Sequence, residues 1–84
     1  MHLLTAEPCG YGLRLLRFDA PLPDHTLPGQ FTTATLADGR RAFFALANLP
    51  GEPVELLVKL QGEVAEAIAA TAPGAAVQLS PAMG

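Results

Sequence analysis

The sequence predicts an all-β domain, a small six-stranded antiparallel Greek-key barrel with one short α-helix before the last strand. Short apolar runs are punctuated by Gly and Pro at every junction, one junction carries the Asp-Gly pair typical of tight hairpins, and only the segment after Gly62 changes to helical spacing.

Residues 2–7 and 11–18 are Leu-rich with Tyr11 and Phe18, and Pro8-Cys9-Gly10 separates them, so they read as two strands. Ala20–Gly29 is a loop with three prolines, Pro21, Pro23 and Pro28. The β-branched pattern resumes in Gln30–Leu36, and Ala37-Asp38-Gly39-Arg40 closes a hairpin onto the fourth strand. That strand runs into Leu49-Pro50-Gly51, and a fifth follows, ending in Glu55-Leu56-Leu57-Val58-Lys59. Beyond Gly62, residues Val64, Ala67, Ile68 and Thr71 recur at helical spacing until Pro73-Gly74 stops the run. Ala76–Ser80 reads as the last strand.

Eighty-four residues make one domain, 1–84. A chain of this length buries only about 60 to 65% of the surface its unfolded form exposes, so a ligand or partner would help stabilise it. Half the residues are hydrophobic and 15% are charged, a composition for a packed domain with a partly apolar surface. The net charge of −3, with no basic cluster beyond Arg40-Arg41, offers no footprint for nucleic acid. No apolar run approaches the roughly 20 residues of a membrane span, and none has the length of a signal-peptide core, so a cytoplasmic address is expected. Cys9 is the single cysteine, which excludes an internal disulfide and any site built from several thiolates. His2 and His25 have no partner at metal-ligand spacing, and His25 reads as a solvated loop residue. Neither a Ser/His/Asp arrangement nor a Gly-rich phosphate loop supports a hydrolase or kinase.

Five pieces occur in order: Pro28-Gly29-Gln30-Phe31; Phe44-Ala45-Leu46-Ala47-Asn48-Leu49-Pro50-Gly51; Glu55-Leu56-Leu57-Val58-Lys59; Gly62; and Pro73-Gly74 through Ser80-Pro81-Ala82-Met83-Gly84. Together they resemble the FAD-binding barrel of the ferredoxin-NADP reductase family, over the whole of residues 1–84. The resemblance implies a flavoprotein that takes part in electron transfer. It places Phe44 at the position of the family's stacking tyrosine, with Ala45, Leu46, Ala47 and Asn48 running along the flavin edge through their main-chain groups. Gly62, Glu63, Val64 and Ala65, at the helix start, become the diphosphate cradle, since a helix N-terminus offers free N–H groups. Lys59 resembles the basic position near the adenosine half of the cofactor. Read from the strand alone, Phe43 and Phe44 point to opposite faces, one into the core and one to the surface.

Departures from the family pattern weaken the cofactor site more than the fold. Ala42 stands where the family has the arginine that pairs with phosphate, and Arg41, one residue away, starts on the opposite face. Ala45 and Ala65 replace a serine and a serine or threonine. Losing three such contacts costs about 3 to 6 kcal/mol, enough to turn a nanomolar site into a micromolar one. Glu63 suits the helix dipole but repels a diphosphate. The family's nicotinamide-binding domain has no counterpart in these residues, so complete reductase activity is expected to be absent, and a separate nicotinamide-binding or redox subunit, or a homo-oligomer, is the expected partner. Two readings follow: a flavin (FAD)-binding domain of a split or truncated oxidoreductase, or a cofactor-free barrel serving as an interaction module of a larger redox enzyme. A weaker third is a structural barrel that senses redox state through Cys9.

Overall fold

A computed structural model describes residues 1–84. Its elements are β1 (Leu3–Pro8), β2 (Leu13–Phe18), β3 (Phe31–Thr35), β4 (Arg41–Ala45), β5 (Glu55–Lys59), α1 (Glu63–Ala69) and β6 (Gln78–Leu79). The six strands and single helix match the expected order. The strands form two three-stranded antiparallel sheets, β1-β2-β5 and β4-β3-β6, rather than one continuous closed sheet. Isolated bridges cross between them at both edges, Leu46 with Leu56 and His2 with Ala76. The last strand is shorter than expected, because only Gln78 and Leu79 reach the β3 ladder, opposite Thr35 and Ala34.

Alternation along the strands decides what is buried. Leu16 and Phe18 of β2, and Leu56 and Val58 of β5, turn inward from the first sheet. Thr32, Ala34 and Phe44 turn inward from the second. In β1 Leu3 is buried and Leu4 exposed, as alternation dictates, and a register irregularity lies between Leu3 and Thr5. Val54, Ala65, Ile68 and Val77 complete the core from the connections and the helix. The one buried hydroxyl in the second sheet is satisfied, as Thr32 Oγ1 donates to the Ser80 carbonyl at 2.7 Å.

Turn chemistry places the site-bearing strands. In the β3–β4 hairpin, Gly39 has φ +91°, a value that disfavours any side chain, and Asp38 accepts from the Arg40 N–H at 3.0 Å. Gly62, also at φ +91°, lets the chain leave β5 and enter α1 at once. The helix therefore starts directly beside β4 and β5. No helix of the chain is long and apolar enough to cross a membrane.

The proline-rich loop is built rather than loose. Gln30 Oε1 accepts from the N–H groups of Thr26 and Leu27 at 2.9 and 3.1 Å, which curls the loop back over the molecule. His25 is thereby buried, 4% exposed, and the expectation of a solvated loop residue is corrected. Asn48 lies against it, 3.4 Å from Asn48 Nδ2 to His25 Nδ1.

Candidate functional site

β4 carries an apolar side chain on both faces, and the structure settles which aromatic is which. Phe44 is 8% exposed and belongs to the core, whereas Phe43 is 70% exposed. Arg41, Phe43 and Ala45 share the outward face, and Ala42, Phe44 and Leu46 the inward one. The expectation that Phe44 offers a stacking face is thus corrected, since its ring is engaged by the hydrophobic interior. On β4 the ring open to stacking is Phe43, and Arg41 stands on that same face, two residues before it. The signal was present in the sequence: a charged residue at position 41 marks the outward face, and alternation carries that face to Phe43.

Phe43 is held by a neighbour. Its ring meets that of Phe31, which lies on β3 two residues before Thr33, the partner of Phe43, at 5.6 Å between centroids and 89° between planes.

A groove of about 510 Å³ opens on one flank of Phe43. Its walls are β4 from Ala42 to Ala45, Leu57 and Lys59 of β5, and residues 61–65 at the helix start. Of the residues singled out from the sequence, Phe44, Ala45, Lys59, Gly62, Glu63, Val64 and Ala65 meet here. A second hollow, of about 660 Å³, opens on the other flank, where Arg41, Thr33 and Thr35 face the segment from Gln78 to Met83. Phe43 borders both.

Leu46, Ala47 and Asn48 are not part of either space. Leu46 is buried and its N–H donates to the Gln30 carbonyl at 3.0 Å, while the Ala47 N–H donates to the Glu55 carbonyl at 2.8 Å. Asn48 is buried and its amide is fully employed: Nδ2 donates to the carbonyls of Leu49 and Glu52 at 3.1 and 3.0 Å, and Oδ1 accepts from the Glu55 N–H at 3.0 Å. These positions shape the β4–β5 connection, line neither hollow, and engage the N–H groups of Leu46 and Ala47 and the Asn48 amide within the fold, a correction to the expected flavin-edge role.

Charge divides unevenly around Phe43. Arg41 and Lys59 are exposed and form no ion pair. Arg40, by contrast, is matched twice, with Nε 2.8 Å from Asp38 Oδ2 and Nη1 3.7 Å from Glu63 Oε2. The backbone N–H of Arg40, and then its guanidinium, hold the Asp38 carboxyl below its ordinary value. The helix start that was expected to cradle a diphosphate bears Glu63 and Glu66 in its first turn, no side-chain cap and no basic residue in its last turn. The donor set accordingly fits a flat aromatic ring over Phe43 and does not fit a diphosphate at α1. No group of three or more His, Cys, Asp or Glu side chains is placed to hold a metal ion. Cys9 is exposed in the β1–β2 turn, away from the groove walls.

Comparison with known protein families, with curated proteins and with solved structures gives no match to this chain.

Proposed function

We propose that this chain is a flavin-binding domain of an electron-transfer oxidoreductase of the ferredoxin-NADP reductase type. The observation that carries the reading is Phe43, an outward aromatic on β4, buttressed by Phe31, between two hollows and two residues after an unpaired arginine. A solvent-facing phenyl ring in such a setting gives an isoalloxazine a stacking surface. Arg41, free of any carboxylate, can donate to the polar edge of a ring seated there.

The strand order supports the fold side of the same reading. Taken with the isolated bridges Leu46–Leu56 and His2–Ala76, the two sheets adjoin in the order β1-β2-β5 and β4-β3-β6, which supports reading them as a six-stranded Greek-key arrangement. The groove lies where β4, β5 and the helix start meet, which is where the resemblance puts the cofactor. A bound flavin supplies hydride and single-electron chemistry, and the protein's part is to position the ring and limit water around it. FAD is the form that the resemblance implies.

Titrating riboflavin, FMN and FAD fluorescence with excess protein tests the proposal. Saturable quenching of any of the three, lost in Phe43→Ala, is the expected result, and absence of quenching by the wild-type chain overturns it.

A second reading, the cofactor-free interaction module, has its own support. Leu4, Leu49 and Leu57 are exposed apolar side chains outside the Phe43–Phe31 pair, and Leu27 and Tyr11 add to them. Sedimentation across a concentration series separates the readings: self-association without flavin quenching favours the module, and a flavin-binding monomer removes it.

A further inference from the structure

Resting on the flavin reading of the Phe43 face, we propose that Glu63 selects among flavins by charge, so that the groove favours the uncharged riboflavin over the phosphorylated FMN and FAD. Glu63 and Phe43 line the same groove, so a ligand long enough to extend from a ring on Phe43 brings its arm past the Glu63 carboxylate. That carboxylate is 87% exposed and free to meet it.

Its charge is only partly offset for an incoming anion. Arg40, its one cationic neighbour at 3.7 Å, is already matched by Asp38 at 2.8 Å. Lys59, unpaired, is the single cation on the groove wall, and Glu63 sets one negative charge on the same wall against it. Glu66 adds a second negative charge in the same helical turn, and the seven-residue helix carries no basic side chain. Its leading carboxylates take up the favourable end of the helix dipole that a phosphate would otherwise use. Stacking on Phe43, in contrast, depends on the apolar face of the ring and is indifferent to phosphate. The ring is thus attracted equally in all three flavins, while a phosphate in the groove meets the Glu63 carboxylate as well as the Lys59 ammonium and gains little net attraction.

Dissociation constants of riboflavin, FMN and FAD, read by fluorescence quenching at low salt, test this in the wild-type chain, Glu63→Gln and Glu66→Gln. Glu63 is exposed and its substitution removes no buried contact, so both variants are expected to fold, as thermal unfolding will verify. Wild-type protein binds riboflavin at least as tightly as FMN and FAD. Glu63→Gln tightens FMN and FAD about 2- to 5-fold and leaves riboflavin unchanged, and the gain shrinks when salt is raised to about 1 M. Glu66→Gln, outside the groove wall, gives less than half that gain. FAD or FMN bound tenfold tighter than riboflavin by the wild-type chain, or a Glu63→Gln variant with unaltered preference, overturns the proposal while leaving the flavin reading in place. Equal gains from Glu63→Gln and Glu66→Gln reduce the effect to net charge and overturn it likewise. No quenching of any flavin overturns the flavin reading itself and this selection with it.

Discussion

The rings of Phe31 and Phe43 meet edge to face at 5.6 Å, one from each strand of the β3–β4 hairpin. Because Phe43 is otherwise solvent-facing, this contact fixes the plane of the only outward aromatic beside the groove. An aromatic pair of this kind is worth about 0.5 to 1.5 kcal/mol beyond area burial. Phe31→Ala is therefore expected to weaken flavin binding about 2- to 10-fold, with Phe43 still present. Fluorescence quenching titrations of the variant and the wild type measure it.

Adjacent aromatics on β4 have separable roles. Phe44→Ala empties a core position and is expected to cost about 3 to 5 kcal/mol of stability. Phe43→Ala removes an exposed ring and is expected to change stability by less than about 1 kcal/mol while abolishing flavin quenching. Urea unfolding of both variants, set beside the binding titration, separates them. Similar stability losses in the two would refute this division of the strand.

Asn48 joins β4 to β5 through four polar contacts, three of them with backbone groups of Leu49, Glu52 and Glu55. Asn48→Ala leaves those groups without their partner in a partly buried turn. A loss of about 2 to 4 kcal/mol is expected from chemical denaturation, larger than for a surface asparagine.

His25 sits against the same amide, and its Nε2 is buried without any hydrogen-bond partner. Both hydrogens of Asn48 Nδ2 point toward carbonyls, so the imidazole gains little from the contact. Replacing the ring with an apolar side chain removes an unpaired polar group from the interior. His25→Leu is expected to keep or raise the melting temperature at neutral pH, and a fall of several degrees would show that the imidazole has a partner the fold depends on.

Acid should loosen the N-terminal edge of the molecule. The Asp19 carboxyl is held below its ordinary value of 3.8, first by the His2 backbone N–H at 2.9 Å and then by the His2 ring at 3.3 Å. A carboxylate whose pKa is lower folded than unfolded contributes stability that is complete above the unfolded value and is lost as pH falls through the folded one. Melting temperatures measured downward from about pH 5 should fall more steeply for the wild type than for Asp19→Asn below about pH 4. Parallel curves would sink the assignment.

Much of the architecture was legible in the chain. Gly and Pro punctuation located the strands because each turn needs a backbone geometry or a missing N–H that few other residues supply, as Asp38-Gly39 and Gly62 illustrate. The switch to helical spacing after Gly62 placed α1, and the order of pieces placed the helix start near β4 and β5. Less legible was the face each side chain of β4 presents. Phe43 and Phe44 are chemically alike, so alternation assigns them to opposite faces, and the charge of Arg41 is the one local sign of which is the outer. That is settled by pairing with β3, which puts Phe44 opposite the buried Thr32 and Phe43 opposite the half-buried Thr33.

The sequence by itself determined six strands, one helix and their turns, because these depend on neighbours within a few residues. Tertiary structure alone decided that Phe43 faces the groove, that Asn48 is consumed by its own turn, and that His25 is buried on it from 23 positions away. Those outcomes depend on which distant surfaces exclude water from each other, and no local pattern of residues encodes that.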